Sequence, residues 1–248
     1  MAVSKCEDAF RIPYNMLILT GIWPKENSDI TFRIRTLSSW FFALSLCINM
    51  LIELLHDIDN FTKLSETLYI MVTYMGFIAK LLVFSYREKE FLNIINFLKD
   101  PIFASYSEEL DHYMKKTIRQ LVCLASIYRA CTLLLIFGYI IYPILDNKPL
   151  PFPLPYDLGK YTIMMYVLQI IGESFSAVNN ISLDLICISL LGIVTAQLDI
   201  LAETIIRSNQ DDSLLGDTQI LNEVNNSTIG KLKQCVKHHI GIIRSGLC

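Results

Sequence analysis

Charge is what this sequence has least of. Only 18% of its 248 residues are Asp, Glu, Lys or Arg, where a soluble domain carries about 25%. Glycine and proline are also scarce, at 10 and 8 residues, which excludes a collagen-like or low-complexity chain. There is no P-loop, Gly-rich dinucleotide turn, HExxH or nucleophile elbow, so no catalytic constellation emerges and an enzyme is disfavoured. No CxxC pair suggests redox or metal chemistry. Cys235 and His239 stand four apart and could offer two zinc ligands. Nothing nearby supplies the others a closed site needs, so no metal, cofactor or nucleic-acid partner is expected. No cleavable leader is expected either, since the brief apolar run Met16–Ile22 ends at Trp23-Pro24 and is too short for an h-region.

What the chain has is apolar residues, 53% of the total, with a mean hydropathy of +0.43. They form long blocks rather than stripes. Leu37–Leu55 has one late charge, Glu53; Leu68–Phe84 has one, Lys80; Leu121–Leu145 has one, Arg129. Tyr161–Leu201 holds only Glu173, Asp184 and Asp199. A hydrocarbon core of about 30 Å takes roughly 20 apolar residues of helix. The reading is an all-α, polytopic transmembrane helical bundle with spans at about 37–55, 68–86, 121–145 and 164–196. The last block is long enough for two short spans. No Gly or Pro offers a tight turn between Ser174 and Leu191, so one long helix that crosses once and projects beyond the bilayer is preferred.

Positive charge orients the spans. Five Lys or Arg precede the first, six lie between the second and third, and five follow the fourth; the other two connections hold three in all (Lys63, Lys148, Lys160). Positive residues stay in the cytosol, which predicts a cytosolic N-terminal segment over 1–36, the four-span region over 37–201 and a cytosolic segment over 202–248. None of the seven cysteines falls in the predicted outside connections at 56–67 and 146–160. Of the sequons at Asn60, Asn180, Asn225 and Asn226, only Asn60 is outside and it is close to the membrane, so little or no glycan is expected.

Charges inside the membrane are costly and usually face the bundle interior. Lys80 lies near a span end and can snorkel. Tyr69, Thr73, Gly76 and Lys80 nonetheless share one helix face, and a polar face predicts inward orientation. Arg129 is deeper; it can snorkel or pair inward with Glu173 or Asp184. The fourth span has a small, polar face of Tyr161, Met165, Leu168, Gly172, Ser176 and Asn179. Such a stripe suits close helix packing or the wall of a ligand cavity, which is mostly apolar with a few polar groups. Thr73, Phe77, Ile136, Tyr139, Met165, Gln169 and Gly172 are the candidates for that wall, suited to a volatile or lipophilic ligand.

Four segments carry a family resemblance. Leu19-Thr20-Gly21-Ile22-Trp23-Pro24 resembles the Gly-hydrophobic-Trp-Pro signature ahead of the first helix of insect odorant receptors. Leu150–Asp157, followed by Tyr161, Tyr166 and Gln169, resembles that family's second extracellular loop and fourth-helix entrance. Gln197-Leu198-Asp199-Ile200-Leu201 and Cys235-Val236-Lys237-His238-His239 resemble the end of the fourth helix and the approach to the fifth. The resemblance implies a seven-helix, odorant-binding subunit of an odorant-gated cation channel. It also implies assembly with a co-receptor in the plasma membrane of olfactory sensory neurons. Four of an expected seven spans are then present, and a C-terminally truncated product would lack the pore. The rival readings are an insect gustatory receptor, with the same inverted topology, and a membrane transporter or structural protein. A transporter would show the internal repeats and broken midplane helices that are absent here. A rhodopsin-type receptor would place its N-terminus outside.

Overall fold

The structure, a computed structural model, describes residues 6–23, 29–56, 58–59, 61–99, 108–152, 154, 158–213 and 240. Among them there are helices and turns and no strand. After a 3₁₀ turn at Cys6–Phe10 come α1 (Arg11–Thr20), α2 (Ile30–His56), α3 (Phe61–Tyr86), α4 (Glu88–Phe97), α5 (Asp111–Leu145) and α6 (Thr162–Ser213). Four of them, α2, α3, α5 and α6, are long and apolar enough to cross a membrane, as the apolar blocks predict. The fourth block is one unbroken helix of 52 residues, about 78 Å at about 1.5 Å per residue.

Two compact units divide the chain, and α5 and α6 contribute to both. The first contains the 3₁₀ turn, α4, the start of α5 and the second half of α6. Its core is aliphatic: Leu98, Leu110, Met114, Leu121, Ile193, Ala196, Ile200 and Leu201 pack with Phe10, Ala9 and Cys6. Gly192 lets α5 approach closely, since a Cβ there would meet Leu121 Cδ1 at 3.0 Å. Asp111, 2% exposed, pairs with Lys115 one turn on at 2.8 Å, and Arg207 reaches Glu203 and Glu109 at 3.0 and 2.5 Å. Burial pushes the Cys6 thiol above its ordinary pKa, which keeps it protonated beside Gln197 Nε2 at 3.7 Å.

The second unit contains α1, α2, α3, most of the apolar part of α5 and the first half of α6. The Gly-hydrophobic-Trp segment has a local mechanical role here. Gly21 takes φ +78°, the left-handed position that ends a helix. Its N–H bonds Ile18 O at 3.2 Å, and the next N–H, of Ile22, bonds Leu17 O at 2.9 Å. This paired closure satisfies carbonyls that the helix end would otherwise orphan. A Cβ at Gly21 would lie 2.6 Å from Arg35 Cβ and 2.8 Å from Thr36 N, so the glycine also permits the approach to α2. Thr36 Oγ1 then donates to Gly21 O at 2.5 Å and Ser39 Oγ to Thr20 O at 2.7 Å. Trp23 closes the corner, buried edge-on against Tyr14 with ring centroids 4.7 Å apart.

On α2 only Ser39, Ala43, Leu46 and Met50 are buried, a single stripe at spacings of four and three. Leu37, Phe41, Leu44 and Ile48 are exposed, the pattern of a helix whose other faces meet lipid rather than water. On α3 the buried stripe is Tyr74, Phe77 and Leu81. This corrects the inward orientation expected of the Tyr69–Thr73–Gly76–Lys80 face. Tyr69 is 77% exposed, Thr73 and Lys80 are exposed, and a Cβ on Gly76 would meet nothing within 4 Å. Those polar groups do not need burial to be satisfied, because Thr73 Oγ1 donates to Tyr69 O on its own helix at 3.1 Å. The rings of Tyr74 and Phe77 offer more packing surface.

Candidate functional site

The first half of α6 lines the second unit with polar side chains. Gln169, Ser176, Asn179 and Ser182 are all nearly inaccessible, and each is answered. Gln169 clamps the backbone of Phe152, accepting from its N–H at 3.1 Å and donating to its carbonyl at 3.0 Å. Ser176 shares a hydrogen bond with the Tyr74 hydroxyl. Asn179 Oδ1 accepts from Thr20 Oγ1 at the end of α1, and Ser182 donates to Val178 O at 2.6 Å. Gly172 is the tight point of the same stripe, where a Cβ would meet Leu46 Cδ1 at 3.1 Å and Phe42 Cδ1 at 3.4 Å. Small and hydrogen-bonding residues are what bring helices together when lipid removes the usual hydrophobic drive.

Around this stripe stand aromatic rings. Phe77 lies edge-on to Tyr74 with centroids 5.6 Å apart, and Tyr139 of α5 tilts against Phe152 at 5.6 Å. Tyr166 donates to Ile140 O of α5 at 2.6 Å. Glu173 faces this group. It interacts electrostatically with Tyr74 and Tyr139, yet its Oε2 is buried and has no hydrogen-bond partner. An unmade hydrogen bond on a buried acceptor costs about 1–3 kcal/mol, more for a charged one. Every other buried polar group named above is satisfied, so this one stands apart.

Of the seven wall candidates, Phe77, Gln169 and Gly172 are buried, Ile136, Tyr139 and Met165 half-buried, and Thr73 exposed. Phe77, Tyr139 and Gln169 join one group through Tyr74 and Phe152, which the residue pattern did not single out. Tyr74 was readable in principle, since Tyr74, Phe77 and Leu81 keep helical spacing. Phe152 was not, because a loop backbone docked on Gln169 has no periodicity.

For Arg129 the alternatives are snorkelling or pairing with Glu173 or Asp184, and Asp184 is paired with another cation. Lys80 Nζ takes Asp184, at 2.7 Å to Oδ1 and 3.0 Å to Oδ2, and reaches Asn180 Oδ1 at 3.2 Å. Arg129 is exposed and makes no ion pair among the described residues. Lys80 of α3 and Asp184 of α6 are close enough to pair directly. A separate cavity of about 410 Å³ lies between the ends of α1, α2 and α3, lined by residues including Ile22, Trp23, Phe32, Arg33, Leu37, Phe84 and Glu88. It contains none of the wall candidates. No group of three or more His, Cys, Asp or Glu that could hold a metal occurs among the described residues. Cys235, His238, His239, Asn60, Asn225 and Asn226 lie outside them.

Comparison with known families resolves what kind of membrane protein this is. Residues 60–245 match the 7tm Odorant receptor family. The chain belongs to the 7tm odorant receptor family. No curated protein matches the sequence significantly. The family is one of receptors rather than enzymes, and the matched region of this odorant receptor covers α3, α5 and α6 entire. It therefore includes the ring cluster, Glu173 and the polar stripe.

Proposed function

We propose that this chain is the odorant-binding subunit of an odorant-gated cation channel and works with a co-receptor subunit in the plasma membrane of olfactory sensory neurons. The observation that carries the reading is the aromatic and polar group on α3, α5 and the first half of α6. It lies inside the family-matched region and combines apolar rings with few hydrogen-bonding groups, as pockets for small lipophilic ligands do. Phe77, Ile136, Tyr139, Met165, Gln169 and Gly172 form the wall in this reading, and Thr73 stands at its exposed margin. The charge division along the sequence supports a cytosolic N-terminus. Ligand recognition, rather than conduction, is the task assigned to these four helices.

The test is direct. The purified chain in lipid nanodiscs is heated with and without a panel of small volatile compounds. A ligand that binds only the folded protein at a hundred times its Kd stabilises it by about 2.7 kcal/mol. At least one volatile compound raises the melting temperature, and Tyr139→Ala removes that rise. A panel in which no volatile compound stabilises the chain rejects the reading.

A further inference from the structure

Resting on the reading of this group as the odorant pocket, we infer that Glu173 selects a ligand bearing a basic nitrogen, a small volatile amine in its protonated form. The carboxylate oxygen Oε2 is buried and unpartnered, and no cation among the described residues lies close enough to act on it. Lys80 is engaged with Asp184 and Asn180. The Tyr74 hydroxyl shares a hydrogen bond with Ser176, and Tyr139 makes a ring contact with Phe152 without a hydrogen bond among the described residues. One face therefore offers a buried carboxyl oxygen with no hydrogen-bond partner among the described residues, and a bound ammonium would favour its ionised form.

The surroundings share that preference. Phe77, Tyr74, Tyr139 and Phe152 present aromatic rings, and a ring face attracts a cation through its quadrupole. An ammonium carries donors for the carboxylate and charge for both carboxylate and rings, so a single group on the ligand satisfies the site. A carboxylic acid brings no cation to the carboxyl and, once both ionise, would meet like charge, so it is disfavoured. A neutral alcohol can donate one hydrogen bond but leaves the charge unpaired. The alkyl remainder of an amine finds the apolar side chains beyond.

The experiment compares hexylamine with 1-hexanol, equal in chain length, by calorimetric titration of the chain in nanodiscs, with empty nanodiscs subtracted. Wild type binds hexylamine at least about tenfold more tightly, and Glu173→Gln loses about that factor for the amine while keeping 1-hexanol within about twofold. Retained hexanol binding shows that the variant is folded; if it binds neither compound, the wild-type ratio alone decides. Equal or stronger binding of hexanol by wild type, or an amine affinity indifferent to Glu173→Gln, overturns the amine preference and leaves the odorant pocket standing. Failure of both compounds, and of the wider volatile panel, overturns the pocket itself.

Discussion

Between Gln169 and Asn179, α6 buries Gln, Gly, Ser and Asn; between Ile193 and Leu201, the same helix buries Ile, Ala and Leu. The second stretch packs as a soluble core does, with Met114, Leu121 and Ile193 filling space. Gln197 is its exception, buried beside Cys6. In the first stretch specific partners are required: Phe152 for Gln169, Tyr74 for Ser176, Thr20 for Asn179. An aliphatic contact tolerates small displacements, whereas a buried hydrogen bond does not. Along one helix, then, shape is held by pairing in the first stretch and by volume in the second. Glu173, whose Oε2 has no hydrogen-bond partner among the described residues, falls in the paired half, and the proposed ligand contact rests on that exception.

The sharpest way to break the comparison is to remove volume from the aliphatic half. Ile200 is completely buried, and Ile200→Ala should cost about 2–5 kcal/mol through lost contacts and a cavity. Thermal unfolding in detergent measures it, and ligand-induced stabilisation per unit occupancy should stay unchanged. Loss of ligand response along with stability would mean that the two halves do not differ as argued. In the paired half, Gln169→Leu nearly conserves volume but orphans the N–H and carbonyl of Phe152. The expected loss is about 1–3 kcal/mol, smaller than for Ile200→Ala. Here the ligand response should fall as well, because Phe152 carries the ring against Tyr139. A variant that melts lower yet keeps full volatile-induced stabilisation would separate the loop from the pocket.

The number of helices long and apolar enough to cross a membrane and the continuity of α6 were legible in residue order alone, because long apolar blocks and an absence of Gly and Pro are local facts. Which face of each helix turns inward was not. A membrane helix is apolar nearly all round, so periodicity loses its meaning, and the polar stripe on α3 misled where a rotation by one residue brought Tyr74 and Phe77 inward. The small face of α6 was readable because close packing demands small residues wherever they occur. Even there the buried member near the helix start is Gln169 rather than Leu168, which is 37% exposed. Partners from distant segments, such as Thr20 on Asn179, follow from the stop at Gly21, which no pattern within α6 announces.

A polar contact is worth less where water can replace it. Beyond the end of α5, Asn147 takes φ +50°, and Lys148 Nζ lies 2.6 Å from Asp146 Oδ2. The Tyr142 hydroxyl donates to the same oxygen at 3.1 Å, while the lysine also sits over the Tyr142 ring at 5.3 Å. The hydrogen bond from Lys148, then that from Tyr142, holds the Asp146 carboxyl below the usual carboxylate range. A depressed folded pKa means that the pair's stabilisation is present above the unfolded value of about 3.9 and is lost as pH falls through the folded value. Lys148 is shifted upward by the same partner, so its charge persists through mildly alkaline pH and sets the opposite limit. Asp146→Asn should therefore lower the melting temperature by a small amount that is constant from about pH 5 to pH 8 and closes only in stronger acid. Both side chains are about half exposed, and exposed pairs contribute little because water and salt compete for them. The shift should be smaller than that of Gln169→Leu at every pH. If Asp146→Asn destabilised the protein as much as the Gln169 change, burial would not be what gives the contacts of α6 their value.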